Sequence, residues 1–131
     1  MKSGDFSSLA ENYAKYRPGY SKIVLKNLSR YMQFDPNKIK VADVGAGTGI
    51  WSKMMSDFGY KVTAVEPNNE MRKQGLIYTR GSNIDWLEGT AENTNLITSS
   101  FKWLTMASSF HWADLDKALS EFHRVLAPGG F

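Results

Sequence analysis

The feature that most constrains this chain is a repeating order of short β-branched runs and helical stretches, the first run ending in a glycine-rich turn. Lys40-Val41-Ala42-Asp43-Val44 is followed at once by Gly45-Ala46-Gly47-Thr48-Gly49. Lys61-Val62-Thr63-Ala64-Val65, Ile84-Asp85-Trp86-Leu87 and residues 101–107 read as three further strands. Residues 48–58, 68–76 and 114–126 read as helices between and after them. Pro67 stands just ahead of the second and Gly75 near its end, and Pro128-Gly129-Gly130 stops the third. Two helices are expected before the first strand. Residues 6–16 place Phe6, Leu9, Tyr13 and Tyr16 at helical spacing, and residues 21–32 place Ile23, Val24, Leu28 and Tyr31 on one side. Strands separated by helices become parallel neighbours joined by right-handed crossovers, so the fold class is α/β with a doubly wound parallel sheet. Ligands of such sheets bind beyond the carboxyl ends of the strands, at the switch point.

Length and composition narrow the reading. The 131 residues fit a single domain spanning 1–131, and 42% hydrophobic with 22% charged is a globular balance. Sixteen Lys and Arg against thirteen Asp and Glu give a formal charge of +3. The basic residues are scattered, with no stripe suited to a phosphate backbone, so no nucleic-acid partner is expected. Cysteine is absent, which excludes a disulfide framework, a thiolate nucleophile and a cysteine metal site. No apolar run approaches the roughly 18 residues of a membrane span, so no membrane partner is expected. The N-terminus lacks the apolar core of a signal peptide, and a cytoplasmic location is expected.

The glycine turn is the first candidate site. Glycines there let backbone approach a ligand closely, and the helix start supplies free N–H groups. A tight strand-to-helix turn with no ligand remains the competing reading. A dinucleotide turn would need a small residue at Ile50; here glycine recurs at every second position instead, after Asp43. That acidic residue is awkward for a pyrophosphate and suits a ligand carrying a cationic amine or sulfonium. Glu66, about twenty residues beyond the turn and just after the second strand, is placed to accept both hydroxyls of a ribose. The alternative is a charge favouring the next helix's N-terminus.

These residues resemble the class I S-adenosylmethionine-dependent methyltransferases, in particular the type 11 small-molecule enzymes. Residues 13–20, YAKYRPGY, look like that family's N-terminal "YxxxRPxYP" element, with Ser21 where proline is usual. Residues 43–49 are similar to its glycine motif, and Val65-Glu66-Pro67-Asn68 to its ribose segment. Gly89-Thr90-Ala91-Glu92 resembles its "GxAE" turn. Ser109-Phe110-His111-Trp112 resembles the "FHW" signature of the trans-aconitate-like branch, and residues 121–130 the "ExxRVLxPGG" segment.

The resemblance implies the N-terminal half of a Rossmann-like methyltransferase fold, S-adenosyl-L-methionine as cofactor and a small-molecule methyl acceptor. It implies that Gly45, Ala46, Gly47 and Gly49 pack against the cofactor, that Asp43 helps hold its ammonium and that Glu66 takes the ribose hydroxyls. Pro67, Asn68 and Met71 would border the adenine, with Thr90 and Ala91 at its edge. Many relatives carry Asp where Thr90 stands. Ala107 and Ser108 would meet the ammonium. Arg17, with Tyr13 or Tyr16, would pair with the methionine carboxylate, an anion whose shape an Arg fork matches.

Two departures from the family pattern stand out. Phe101-Lys102-Trp103-Leu104 replaces the usual Phe-Asp-Leu-Val, and the sequence ends at Phe131, where a fifth strand should begin. With strands five to seven absent, the fourth strand, with Trp103 and Leu104, is expected to be an exposed edge, available for self-association.

Methyl transfer is an in-line displacement for which the protein chiefly aligns the partners, and a base is needed only when the acceptor keeps its proton. His111 is the candidate general base; the competing reading is a packing histidine beside Trp112. Tyr16, Phe110, His111 and Trp112 are the candidate acceptor residues, although aromatic side chains are more often core. Trp51 fits either role. His111 and His123 are not spaced as a metal pair, and no metal site is expected. A cofactor-binding fragment without activity, acting as an interaction module, is the second functional class, and a nicotinamide enzyme the third, which the glycine spacing disfavours.

Overall fold

The computed structural model describes residues 22–106 and 114–131. Helix α1 (Lys22–Met32) leads into strand β1 (Lys40–Val44), and helix α2 (Ile50–Phe58) follows the glycine turn. Strand β2 (Lys61–Val65), helix α3 (Asn69–Tyr78), strand β3 (Ile84–Leu87), strand β4 (Trp103–Thr105) and helix α4 (Leu115–Val125) complete the order. The four strands form one parallel sheet in the order β3-β2-β1-β4. The chain steps outward from β1 to β2 and β3, then returns to β1's other side with β4. The switch point therefore lies between the carboxyl ends of β1 and β4.

Alternation along β1 sends its side chains to two cores. Val41 joins Leu25, Trp51, Met55, Tyr60, Val62 and Trp103 on the face covered by α1 and α2. Ala42 and Val44 pack on the other face, with Val65, Leu96, Phe101 and Val125 and with Ala91 and Ala118. The sheet is thus covered on both sides, as a parallel sheet requires.

Strands β1, β2 and β3 coincide with the sequence reading, while four expectations change. Helix α2 starts at Ile50 rather than Thr48, because Gly49 occupies the N-cap with φ 87°, a conformation that glycine alone adopts freely. Helix α3 runs three residues past Gly75. That glycine is a packing site: a Cβ on it would lie 2.2 Å from Cη2 of Trp86. Helix α1 buries Leu25 and Ser29, whereas Ile23, Val24, Leu28 and Tyr31 are all exposed. Leu25 belongs to the core beside Tyr60 and Trp103, and the Ser29 hydroxyl bonds that of Tyr60, so tertiary contact chose a different stripe of the helix.

The fourth change concerns β4, which is three residues long. Phe101 is separated from it and forms an isolated parallel bridge with Leu126, while the Lys102 amide donates to the Lys40 carbonyl. Although β4 is the end strand, its edge is not bare. The Phe131 amide donates to the Lys102 carbonyl at 2.8 Å, and the Leu104 amide donates to the Phe131 carbonyl at 2.9 Å. Trp103 is buried, edge-on to Tyr60 with ring centroids 5.3 Å apart, and Leu104 is half-buried. The expected exposed edge at these two residues is corrected accordingly. No helix among the described residues is long and apolar enough to cross a membrane.

Candidate cofactor site

The glycine turn after β1 folds onto the end of β2. The Gly45 and Ala46 amides both donate to the Val65 carbonyl, at 2.8 and 3.0 Å. Gly45, Gly47 and Gly49 all have positive φ, so the turn bends tightly enough for its amides to face β2 rather than continue the strand. The Gly47 amide donates to Glu66 Oε1 at 2.8 Å, and the Asn68 amide donates to Oε2 at 2.9 Å. Arg72 Nη1 donates to the Glu66 carbonyl at 2.8 Å. Asn68 then caps α3, its Oδ1 accepting from the Met71 amide at 2.9 Å, and Met71 is buried. Burial holds the Glu66 carboxyl above its ordinary value, against the opposing pull of the Asn68 and Gly47 amides and the Arg72 charge.

Asp43 lies at the base of the same turn, buried beneath it. Ser52 Oγ donates to its Oδ2 at 2.6 Å and Thr105 Oγ1 to its Oδ1 at 3.2 Å. Trp51 Nε1 donates to Thr105 Oγ1 at 3.1 Å, completing a relay from α2 through β4 to β1. Burial pushes the Asp43 carboxyl up to about 7; the two hydroxyls pull it down, and the neighbouring Glu66 charge adds to the rise. Two buried carboxylates therefore flank the Gly45–Gly49 turn beside the switch point.

The remaining sequence candidates separate. Gly45, Ala46 and Gly47 are half-exposed in the turn and Pro67 is exposed beside it. Gly49 caps α2 and is buried under Trp86, whose Cζ2 a Cβ there would meet at 2.7 Å. Thr90 is exposed, and its Oγ1 accepts from the Asn93 amide at 3.1 Å. Ala91 is buried against Val44 and Ala118. Tyr13, Tyr16, Arg17, Ala107, Ser108, Phe110, His111 and Trp112 lie outside the described residues.

Sequence reasoning missed the partners of Asp43. Ser52 is nine residues away and Thr105 sixty-two, and neither separation leaves a local signal. It also missed a latch between α4 and the loop after β3. There Glu121 Oε2 accepts from the Thr94 amide and hydroxyl, at 2.8 and 2.6 Å. Arg124 Nε and Nη2 grip the same carboxylate, both at 2.8 Å. The i, i+3 spacing of Glu121 and Arg124 was a visible hint.

Comparison with known proteins agrees with this architecture. The family model described as a methyltransferase domain matches residues 42–131. A ubiquinone/menaquinone biosynthesis C-methyltransferase of Rubrivivax gelatinosus is 38% identical over 92 residues, covering 69% of this chain and 36% of that protein. A malonyl-[acyl-carrier protein] O-methyltransferase of Pectobacterium atrosepticum is 35% identical over 95 residues, covering 70% and 36%. The crystal structure of a Methanococcus maripaludis protein, provisionally assigned as an S-adenosyl-L-methionine-dependent methyltransferase, superposes with a TM-score of 0.84. It is 20% identical, with 99% of this chain and 63% of that one covered, and so speaks to the fold. The chain spans little more than a third of the length of the first two relatives. The family-model match, which spans the glycine turn, the Glu66 segment and α4, places this chain in the methyltransferase domain family, of the class I S-adenosylmethionine-dependent type.

Proposed function

We propose that this chain forms the S-adenosyl-L-methionine-binding part of an enzyme that methylates a small molecule. The observation that carries the reading is the pair of buried carboxylates, Asp43 and Glu66, on either side of a glycine turn at the carboxyl ends of β1 and β2. Carboxylates held above their ordinary values by burial gain most from a cationic ligand, which restores the charge balance lost on leaving water. The donor set fits the cofactor in chemistry: carboxylates for an ammonium and for ribose hydroxyls, and close backbone at a turn without side chains. When bound, the cofactor supplies an electrophilic methyl on a positively charged sulfur.

Each residue then has a defined task. Glu66 accepts the ribose hydroxyls with the lone pairs left free by Gly47 and Asn68. Asp43 offers its charge to the ammonium from beneath the turn, aligned by Ser52 and Thr105. Gly45, Ala46 and Gly47 border the methionine and ribose portions, Met71 and Pro67 the adenine, and Thr90 and Ala91 the far side of the base. Arg17 takes the methionine carboxylate. The acceptor presents a carboxylate or hydroxyl, with His111 as base where the acceptor retains a proton and Tyr16, Phe110 and Trp112 as its neighbours. Among the relatives, the ubiquinone/menaquinone biosynthesis C-methyltransferase supports a small-molecule acceptor, and the malonyl-[acyl-carrier protein] O-methyltransferase supports an oxygen acceptor.

Calorimetric titration with S-adenosylhomocysteine, with NAD as control, tests the assignment. Binding of the first alone is expected. Binding of NAD instead would replace the reading with a nicotinamide site, and binding of neither would refute it for this chain.

A further inference from the structure

The loop after β3 is closed on itself in three nested steps. Asn95 Nδ2 donates to the Glu88 carbonyl at 2.9 Å. Inside that, Gly89 lies against Thr94: a Cβ on Gly89 would lie 2.6 Å from the Thr94 carbonyl oxygen and 2.9 Å from Cγ1 of Val65. Innermost, the Thr90 amide donates to the Asn93 carbonyl at 3.0 Å, and the Asn93 amide donates to Thr90 Oγ1. The turn bearing Thr90 and Ala91 is therefore a small rigid unit. Against the sheet the unit rests on apolar contacts alone, Gly89 on Val65 of β2 and Ala91 on Val44 of β1, which are not directional.

The directional tie comes from α4. Glu121 Oε2 holds the amide and hydroxyl of Thr94, a fully buried residue, and the same hydroxyl accepts from the Leu96 amide at 3.2 Å. Arg124 locks the Glu121 carboxylate with two N–H groups and extends Nη2 to the Leu96 carbonyl and Nη1 to Thr98 Oγ1, each at 2.8 Å. A planar guanidinium spanning four acceptors in one geometry is a more restrictive tie than a single ion pair. The Glu121 carboxyl is held down to about 2, chiefly by Arg124 with the two Thr94 donors assisting, so it is ionised throughout the physiological range. From Thr94 the path continues through Gly89 to Val65, the residue before Glu66.

We infer that Glu121, Arg124 and Thr94 are positioning residues that fix the Thr90–Ala91 turn relative to Glu66 and so set the selectivity of the site for the base of its nucleoside. This inference rests on the cofactor reading above, and it assigns a role in that site to residues outside it. The turn is held in register with the ribose-binding carboxylate by a side-chain latch from a helix twenty-seven residues beyond Thr94, past the reach of any local turn signal. Loosening the latch leaves the nested closures intact but lets the unit pivot.

The test compares the intact protein with E121Q, R124K and T94V by titration with S-adenosylhomocysteine and with S-inosylhomocysteine, in which the exocyclic amine becomes a carbonyl. T94V removes one hydroxyl and is the mildest change, so it covers the case in which E121Q folds poorly. R124K keeps the charge and removes the fork. Each variant is expected to bind S-adenosylhomocysteine about tenfold more weakly, the equivalent of one charge-assisted hydrogen bond. The ratio of the two affinities is expected to fall toward one. Lower thermal stability with an unchanged ratio would show that the latch is merely structural and would overturn the inference. Wild-type protein that binds neither ligand would instead overturn the cofactor reading, and the inference with it, before any variant is compared.

Discussion

The Gly47 amide donates to Oε1 of Glu66 at 2.8 Å, so the turn after β1 and the residue after β2 share one hydrogen bond at the mouth of the sheet. Glu66 is thereby both a ligand candidate and a structural tie, because its second oxygen holds the Asn68 amide at the start of α3. Truncating it strands two amides. Glu66→Ala is expected to cost about 1 kcal/mol of stability for each hydrogen bond lost, since both amides are half-exposed and water can replace the carboxylate in part. It is also expected to weaken S-adenosylhomocysteine binding by about ten- to a hundredfold, or ~1.4–2.8 kcal/mol. Chemical denaturation and calorimetry well below the unfolding midpoint measure the two separately. Unchanged affinity at lowered stability would leave Glu66 as a tie alone.

Asp43 predicts a slope of stability against pH. Its carboxyl ionises at an ordinary 3.8 when unfolded and at about 7 in the fold. Between those values the folded chain holds a proton that the unfolded chain has lost, so this group makes stability fall as pH rises through that window. Glu66, raised by burial, acts in the same direction. Thermal unfolding across the interval is expected to show a decline in Tm that Asp43→Asn flattens. An identical slope in that variant would mean that the carboxyl ionises normally.

Glu121 predicts the opposite sign in a lower window. Its carboxyl is lowered from 4.5 to about 2 in the fold, so its contribution is complete above the unfolded value and is lost as pH falls from there toward 2. Glu121→Gln is expected to lower stability by about 1.5–3 kcal/mol at neutral pH, the range for hydrogen bonds to a charged group. The difference from wild type should shrink in acid. Denaturation at neutral pH and in acid checks this; a gap that stays constant across both would place the effect in packing.

Trp86 and Gly75 predict a coupled pair. The indole fills the space a Gly75 side chain would need, and its Nε1 donates to Thr79 Oγ1 at 3.0 Å. Gly75→Ala is expected to destabilise by about 1–3 kcal/mol through overpacking, even though alanine favours a helix. Trp86→Ala is also destabilising, yet adding Gly75→Ala to it should cost little, because the clash has gone. A double-mutant cycle by urea denaturation reads the coupling, and simple additivity would show that the helix shifts instead.

Much of the fold was legible in the sequence because local pattern writes it. Strands β1, β2 and β3 have the limits that their β-branched runs and bounding turns indicate, and Asn68 and Asp114 cap their helices as short polar residues do. The candidate site was legible as far as Gly45–Gly49 and Glu66, since a turn that lacks side chains and an acidic residue after the next strand are sequence-local features. Those signals said which residues gather at the carboxyl end of the sheet.

The tertiary structure decided which surfaces those residues meet. The stripe of α1 that enters the core was set by Tyr60 and Trp103, not by the helix's own apolar spacing, which left Val24, Leu28 and Tyr31 exposed. Gly49 ends the turn as read, yet it and Gly75 are also clearances for one indole ring. The partners of Asp43 lie on α2 and β4, and the latch on Thr94 comes from α4, twenty-seven residues away. Periodicity of 2 or 3.6 encodes which face a side chain takes within its own element. The partner on another element, and the charge state that its burial imposes, exist only once the elements have packed.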